Sequence, residues 1–267
     1  MSDAAEAAPT TGPVSLSALE FDVLLEHLGI DPPLVLRVAS PGKTHSHRRE
    51  LADAAWWALA ERGLCGRDGL AESLRRMLSV LDSPSREVDG RCWLGRGVRV
   101  LAAAPGESDE AVLVVKEEER LWLRPAAGSG LVREALSVLP EVPAGSGRSV
   151  SLPSADLDAA ASESGDDLSV LRRALSSRGV RTDDAAVLAG MLEGVHASGQ
   201  FGAAVRGVST GRRRAEHVVG FFDSGQGRHV QLRRATSSGE AWSTIAPADR
   251  RGLVERVAEL LGDPLTG

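Results

Sequence analysis

An internal repeat constrains the fold of this chain more than any other feature of its sequence. The motif Val-Ser-Leu occurs at residues 14–16 and again at residues 150–152. Each half then closes with a tryptophan, a proline and a Leu-Val pair, in the same order. These are Trp122, Pro125 and residues 131–132 in the first half, and Trp242, Pro247 and residues 253–254 in the second. The tryptophans lie 120 residues apart and the Leu-Val pairs 122, so a two-residue insertion would reconcile the two spacings. We infer two similarly built halves.

Within each half, the hydrophobic pattern changes from helical spacing to strict alternation. Apolar residues recurring every three or four positions predict helices, and alternation predicts strands. The predicted helices cover residues 18–28, 46–62, 69–81, 167–178 and 182–195, with one more closing each half. The predicted strands cover residues 86–94, 98–103, 111–116 and 120–124, then 201–206, 214–223, 228–234 and 240–245. Their short, Gly-rich or charged connections favour antiparallel hairpins.

These elements predict an α+β fold: a central antiparallel sheet flanked by helical bundles, in two pseudo-symmetric halves. We expect residues 1–12 to form a disordered tail and residues 13–267 to form one domain. Its halves would span about 13–140 and 148–262, joined by a Gly/Pro/Ser-rich linker at 140–149.

Composition and charge exclude several classes of function. The formal net charge is -6, which argues against a general nucleic-acid binder, because phosphate contacts require a positive surface. No apolar run approaches the roughly 20 residues that span a bilayer. The N-terminus lacks the basic start and apolar core of a signal peptide, so we expect a cytoplasmic protein. Its two cysteines, Cys65 and Cys92, are then expected as reduced thiols.

The segment Ser-Pro-Gly-Lys-Thr at residues 40–44 resembles part of a phosphate-binding P-loop. The first glycine of a P-loop would stand at position 37, where this chain has Arg37, and Pro41 removes a backbone amide that the loop would use. A Pro-Gly turn followed by a helix capped at Thr44 or Ser46 is the favoured interpretation. A degenerate P-loop enzyme that uses Lys43 stays the alternative.

No other motif predicts catalysis or a metal site. The pattern Gly-Val-Ser-Thr-Gly at residues 207–211 matches a nucleophile elbow, but a predicted strand follows it where the elbow requires a helix. Among the histidines only His45 and His47 are close in sequence, and no cysteine pair accompanies them. We therefore predict no catalytic residues, no metal and no cofactor.

Tryptophans on the polar faces of strands suggest protein binding instead. Trp93 shares the polar face of one predicted strand with Arg91, and Trp122 shares that of another with Arg124. Tryptophan is enriched at interaction hot spots because one side chain buries a large area. The alternative is that helices cover these faces and make the tryptophans core residues. The predicted binding residues are Trp93, Trp122, Trp242, Arg91, Arg124 and Phe222.

Several segments, in chain order from about residue 13 to 262, resemble the EspG family of type VII (ESX) secretion proteins. They include Ala18–Asp22, Arg48–Leu51, Ala60–Leu64, Gly199–Val205 and Ala246–Asp249. The resemblance implies a cytosolic chaperone that binds a PE–PPE heterodimer, or a similar helical secretion client, at the apolar helical tip of the PPE partner. It implies a binding surface made of the sheet and the C-terminal helical bundle, with no catalytic residues. A scaffold that forms homo-oligomers stays open; nucleic acid and membrane insertion are not expected.

Overall fold

One antiparallel sheet organises the protein, for which a computed structural model describes residues 12–106, 109–207, 209–236 and 239–262. Eleven strands of these ranges form the sheet, and two short strands form a separate hairpin. The strands are β1 Val14–Ser17, β2 Cys65–Gly66, β3 Gly69–Leu70, β4 Arg86–Trp93, β5 Gly97–Ala104, β6 Glu110–Glu117 and β7 Arg120–Ala127 in the first half. The second half has β8 Val150–Pro153, β9 Ala197–Gly207, β10 Gly211–Arg214, β11 Val219–Ser224, β12 Gly227–Ala235 and β13 Ala241–Pro247. The predicted tail lies, except for Gly12, outside the described residues.

Several of the helices begin at a capping side chain. They are α1 Ala18–Leu28, α2 His45–Glu61, α3 Glu72–Ser79, α4 Leu131–Leu136, α5 Ser154–Ser164, α6 Leu168–Ser177, α7 Thr182–Met191 and α8 Arg250–Gly262. Ser17 and Glu20 form a reciprocal capping box at α1, and Asp167 caps α6. Thr182 is the first residue of α7 and not its cap, because the preceding Arg181 occupies the cap position.

The strand order confirms the predicted fold class and its two pseudo-symmetric halves. The sheet runs β1-β7-β6-β5-β4-β9-β11-β12-β13-β8, so reading outward from the central β4–β9 pair gives equivalent strands on both sides. The two Val-Ser-Leu motifs form the two edge strands, β1 and β8. Pairing of β4 with β9 therefore joins the halves into one continuous sheet.

The register corrects the predicted alignment of the tryptophans. Ser15 of β1 pairs with Trp122, whereas the equivalent Ser151 of β8 pairs with Thr244. Equivalent positions in β7 and β13 are thus 122 residues apart, and the same spacing separates the prolines and the Leu-Val pairs. The structural counterpart of Trp242 is Arg120, so no insertion separates the tryptophans from the closing helices. The two-residue displacement keeps Trp122 and Trp242 on one face, because side chains alternate with a period of two.

A bulge divides the predicted strand 214–223 into β10 and β11. Both pieces pair with the same edge of β9, where Arg214 pairs with Ala204 and Val219 pairs with Phe201. The four residues 215–218 therefore stand opposite only two residues of β9.

Helices cover the two faces of the sheet in different places. On one face, called here the two-helix face, α4 and α8 pack over a central core that includes Val88, Val100 and Phe201. On the opposite bundle face, α1, α2 and α3 cover the outer strands of the first half, and α5, α6 and α7 cover those of the second. The centre of the bundle face lies between these two bundles.

The Gly/Pro/Ser-rich connection at residues 140–149 packs against the second half. The amide of Gly145 donates to the carbonyl of Arg228 (2.8 Å), and the amide of Arg228 donates to the carbonyl of Pro143 (2.9 Å). The fully buried guanidinium of Arg228 donates to both carboxylate oxygens of Asp223, at 2.7 and 2.8 Å, and to the carbonyl of Pro140 at 3.1 Å. The connection is therefore an ordered strap fixed to the β11–β12 hairpin. The exact limits of the two halves stay a prediction.

Candidate binding surface

A row of polar side chains crosses the bundle face between the two helical bundles. Cross-strand pairing places these residues side by side on six neighbouring strands, and all of them are partly or fully exposed. We call this row the open band; it consists of Lys116, Arg99, Arg91, Gln200, Gly220 and Gln231. In the adjacent rows, Leu101 and Phe222 are buried beneath the two bundles. The open band is therefore sheet surface that the helices of the described ranges leave uncovered.

Trp93 projects beside the open band and is 57% exposed. It lies two residues after Arg91 on β4, so both side chains point to the bundle face. Its cross-strand neighbours are Gly97 on β5 and Ser198 on β9. Because both neighbours are small, neither covers the indole. Trp93 and Arg91 therefore lie together on one exposed surface, as their positions on the strand predict.

A charged groove of about 300 Å³ continues from the open band toward the first bundle. Its floor carries Glu87 and Asp89, which are nearly buried, and they pair with Arg212 and Arg214 of β10. The second contact of Arg214, from Nη2 to Oδ1 of Asp89, measures 3.0 Å. The hydrogen bond to Asp89 raises the pKa of Arg214 above its ordinary value. The prominently exposed Leu34 lies on the rim.

A run of three arginines at residues 212–214 suggests a solvated hairpin tip from sequence alone, but the ion pairs in this groove hold Arg212 and Arg214 against the sheet. Arg212 and Arg214 reach across β9 to carboxylates that are 125 residues away in sequence. The guanidinium of Arg214 lies directly over Gly202, in space that a Cβ at that position would occupy. Sequence patterns could not predict the pairs, since they depend on the register between β4, β9 and β10.

The other predicted tryptophans lie on the two-helix face. Trp122 and Arg124 share this face, and Nη2 of Arg124 contacts Oε2 of Glu134 on α4 at 2.7 Å. Trp242 is 37% exposed and pairs with Arg234, which contacts Glu259 of α8 at 2.9 Å. The structure therefore separates Trp122, Arg124 and Trp242 from Trp93 by the thickness of the sheet.

Phe222, the remaining predicted binding residue, is 7% exposed and belongs to the core of the second bundle. Its ring stacks on His229 with 5.1 Å between centroids. It is the cross-strand partner of Ser198, which in turn pairs with Trp93. Phe222 thus supports the sheet next to Trp93 from beneath the helices.

The Ser-Pro-Gly-Lys-Thr segment forms a capped turn, as its favoured interpretation predicted. Thr44 accepts a hydrogen bond from the His47 amide at 3.3 Å. Gly42 has φ of +108°, and a Cβ there would lie 2.9 Å from Cα of Arg48. A 3₁₀ turn precedes the segment where a P-loop requires a strand. The geometry does not favour the nucleotide-binding alternative.

The remaining chemical motifs are structural elements in the described ranges. Gly207 ends β9 and Gly211 begins β10, so a strand follows the serine-containing turn. No group of three or more His, Cys, Asp or Glu side chains in the described ranges could hold a metal. Burial raises the pKa of the Cys92 thiol to about 12, which keeps it protonated and unreactive.

Comparisons with known proteins agree with this architecture. The model of the EspG family matches residues 17–259. One similar solved structure is that of the Mycobacterium tuberculosis type VII secretion system chaperone EspG5 in complex with the PE25–PPE41 dimer. It shares 17% sequence identity with this chain, covers 95% of this chain and 96% of its own, and superposes with a TM-score of 0.69. At that identity the likeness establishes a common fold. No curated protein matches the sequence, and no helix of the described ranges has the length and apolar character needed to cross a membrane.

Proposed function

The chain belongs to the EspG family, and we propose that it is a cytoplasmic chaperone of a type VII (ESX) secretion system. Its client would be a PE–PPE-like pair of helical proteins, held at an apolar helical tip and delivered to the secretion machinery. The open band with the exposed Trp93 is the observation that carries this proposal. It gives the fold a binding surface that none of the described helices or strands covers.

The likeness to EspG5 supports the choice of client. That chaperone was solved in complex with a PE25–PPE41 dimer, and its fold matches this chain over nearly the whole length of both. An exposed apolar tip would otherwise promote self-association of the client, and a bound chaperone would cover it. A stable complex of this kind would bury roughly 1,600 Å².

We propose that the client lies across the open band, with Trp93 as the main apolar contact and Arg91 beside it. The second bundle, α5 to α7, would form one wall of the site. Phe222 would act indirectly, by supporting the strand next to Trp93. Trp122, Arg124 and Trp242 stay predictions for a separate contact on the two-helix face. We expect no nucleotide hydrolysis, since the turn at residues 40–44 ends in Thr44, whose side chain caps α2.

Co-expression with each PE–PPE pair of the source genome, followed by gel filtration, tests the proposal. We expect one pair to elute with the chain as a stoichiometric complex. Trp93→Ala should weaken that complex by about tenfold or more, as truncation of an interface hot spot does. Trp57→Ala is the matched control, because Trp57 is 68% exposed but lies on α2. Separate elution with every pair would overturn the proposal.

A further inference from the structure

Three cations stand next to one another in the open band. Arg91 pairs with Arg99, and Arg99 pairs with Lys116, on three neighbouring strands. Adjacent strands are about 4.8 Å apart, so the stems of these side chains are close. None of the three has a carboxylate partner in the described part of the chain, and Nη1 of Arg99 donates a hydrogen bond to the carbonyl of Val98 at 3.2 Å.

This arrangement contrasts with the rest of the same surface. In the adjoining groove, Arg212 and Arg214 are each neutralised by a carboxylate of β4. The chain as a whole carries more acidic than basic residues, with a formal net charge of -6. Like charges directly opposite one another on neighbouring strands are unfavourable. A row of three cations without carboxylate partners among the described residues is therefore a site that an acidic partner can neutralise.

We propose that the client tip held by the open band carries Asp or Glu side chains next to its apolar residues. This inference rests on the proposed function and specifies the chemistry of the client. The carboxylates would bind Arg91 and Arg99, whose guanidinium groups can each hold a carboxylate with two hydrogen bonds. Lys116 would add a third positive charge, and the apolar residues would cover Trp93.

The surroundings favour a protein carboxylate over a nucleic-acid phosphate. Glu87 and Asp89 lie on the same strand as Arg91, and Asp31 and Asp82 line the same groove. Glu87 and Asp89 offset the charges of Arg212 and Arg214, and Asp31 and Asp82 add further negative charge, so the groove lacks the extended positive surface that a continuous phosphate backbone needs. A short acidic tip needs only the three cations. Complementary charges of this kind speed association and exclude clients whose tips are basic.

Charge reversal at the open band tests the inference on the PE–PPE pair that co-elutes with the chain. Arg91→Glu should weaken binding of that pair by about tenfold or more. Arg49→Glu is the matched control: it makes the same change of charge at an exposed position on α2, and we expect less than about a twofold effect. Replacing the acidic residues of the client tip by lysine should restore binding to Arg91→Glu and weaken binding to the unmodified chain.

The possible results separate the inference from the proposed function. If the unmodified chain binds a pair but Arg91→Glu, Arg99→Glu and Lys116→Glu bind it equally well, the inference is overturned and the chaperone proposal stands. If the unmodified chain binds no pair, both are overturned. Binding of a duplex oligonucleotide that competes with the client and is lost in Arg91→Glu would also overturn the inference. Unchanged thermal unfolding of each variant shows that a loss of binding is not a loss of fold.

Discussion

At the scale of single residues, buried and exposed charges have different tasks in this protein. Asp223 and Arg228 are completely buried and hold the strap at residues 140–149 against the second half. The guanidinium of Arg228 also lies over the ring of Phe221, with 5.4 Å to the centroid. The cations of the open band, in contrast, contribute nothing evident to packing. Buried charge fixes the connection between the halves to the β11–β12 hairpin, and exposed charge is available for binding.

Removing one member of the buried pair should destabilise the whole fold. Asp223→Ala leaves the guanidinium of Arg228 buried without its counter-charge, which costs about 3–5 kcal/mol in comparable buried pairs. Chemical denaturation measures this loss. Asp158→Ala, which breaks an exposed pair with Arg233, should cost about 1 kcal/mol or less. Equal effects of the two variants would contradict a structural role for the buried pair.

At the scale of elements, sequence periodicity predicted helices well where large apolar residues and caps coincide. Helix α1 has the predicted limits, and α2 differs by one residue at each end. Helix α5 was not predicted, because it carries a single large apolar residue, Leu157, among alanines and serines. The start of α3 was placed too early, since Gly69 and Leu70 pair with β2 instead. Local pattern does not report such tertiary pairing.

The cap of α6 makes stability depend on pH. The carboxylate of Asp167 accepts hydrogen bonds from Ser169 and from the amide of Val170, which lower its pKa below the ordinary value of 3.8. A lowered pKa means that the ionised form stabilises the fold above pH 3.8 and that this contribution is lost as the pH falls through the folded-state pKa.

Asp167→Asn should therefore flatten the loss of stability in acid, measured as unfolding free energy between about pH 5 and pH 2. The flattening will be partial, because hydrogen bonds with Ser129 lower the pKa of Asp109 in the same direction. Asp166→Asn is the control, since that neighbouring side chain is not part of the cap. An unchanged pH profile in Asp167→Asn would show that the cap does not contribute.

At the scale of the whole molecule, the repeat in the sequence predicted the architecture better than the binding surface. Equivalent strands in two halves lead to a symmetric sheet with its centre at β4 and β9. Alternation within one strand predicts that Trp93 and Arg91 share a face, and they do in the structure. It could not place Trp93 and Trp122 on opposite faces, because that depends on how separate strands are registered and on which helices cover them.

The central claim is that a PE–PPE-like client lies across the open band. A photoreactive amino acid placed at position 93, 122, 242 or 57, one at a time, tests it directly in the co-expressed complex. We expect a crosslink to the client from position 93 and none from position 57 on α2. Crosslinks from positions 122 or 242 with none from position 93 would contradict it, because the client would then occupy the two-helix face.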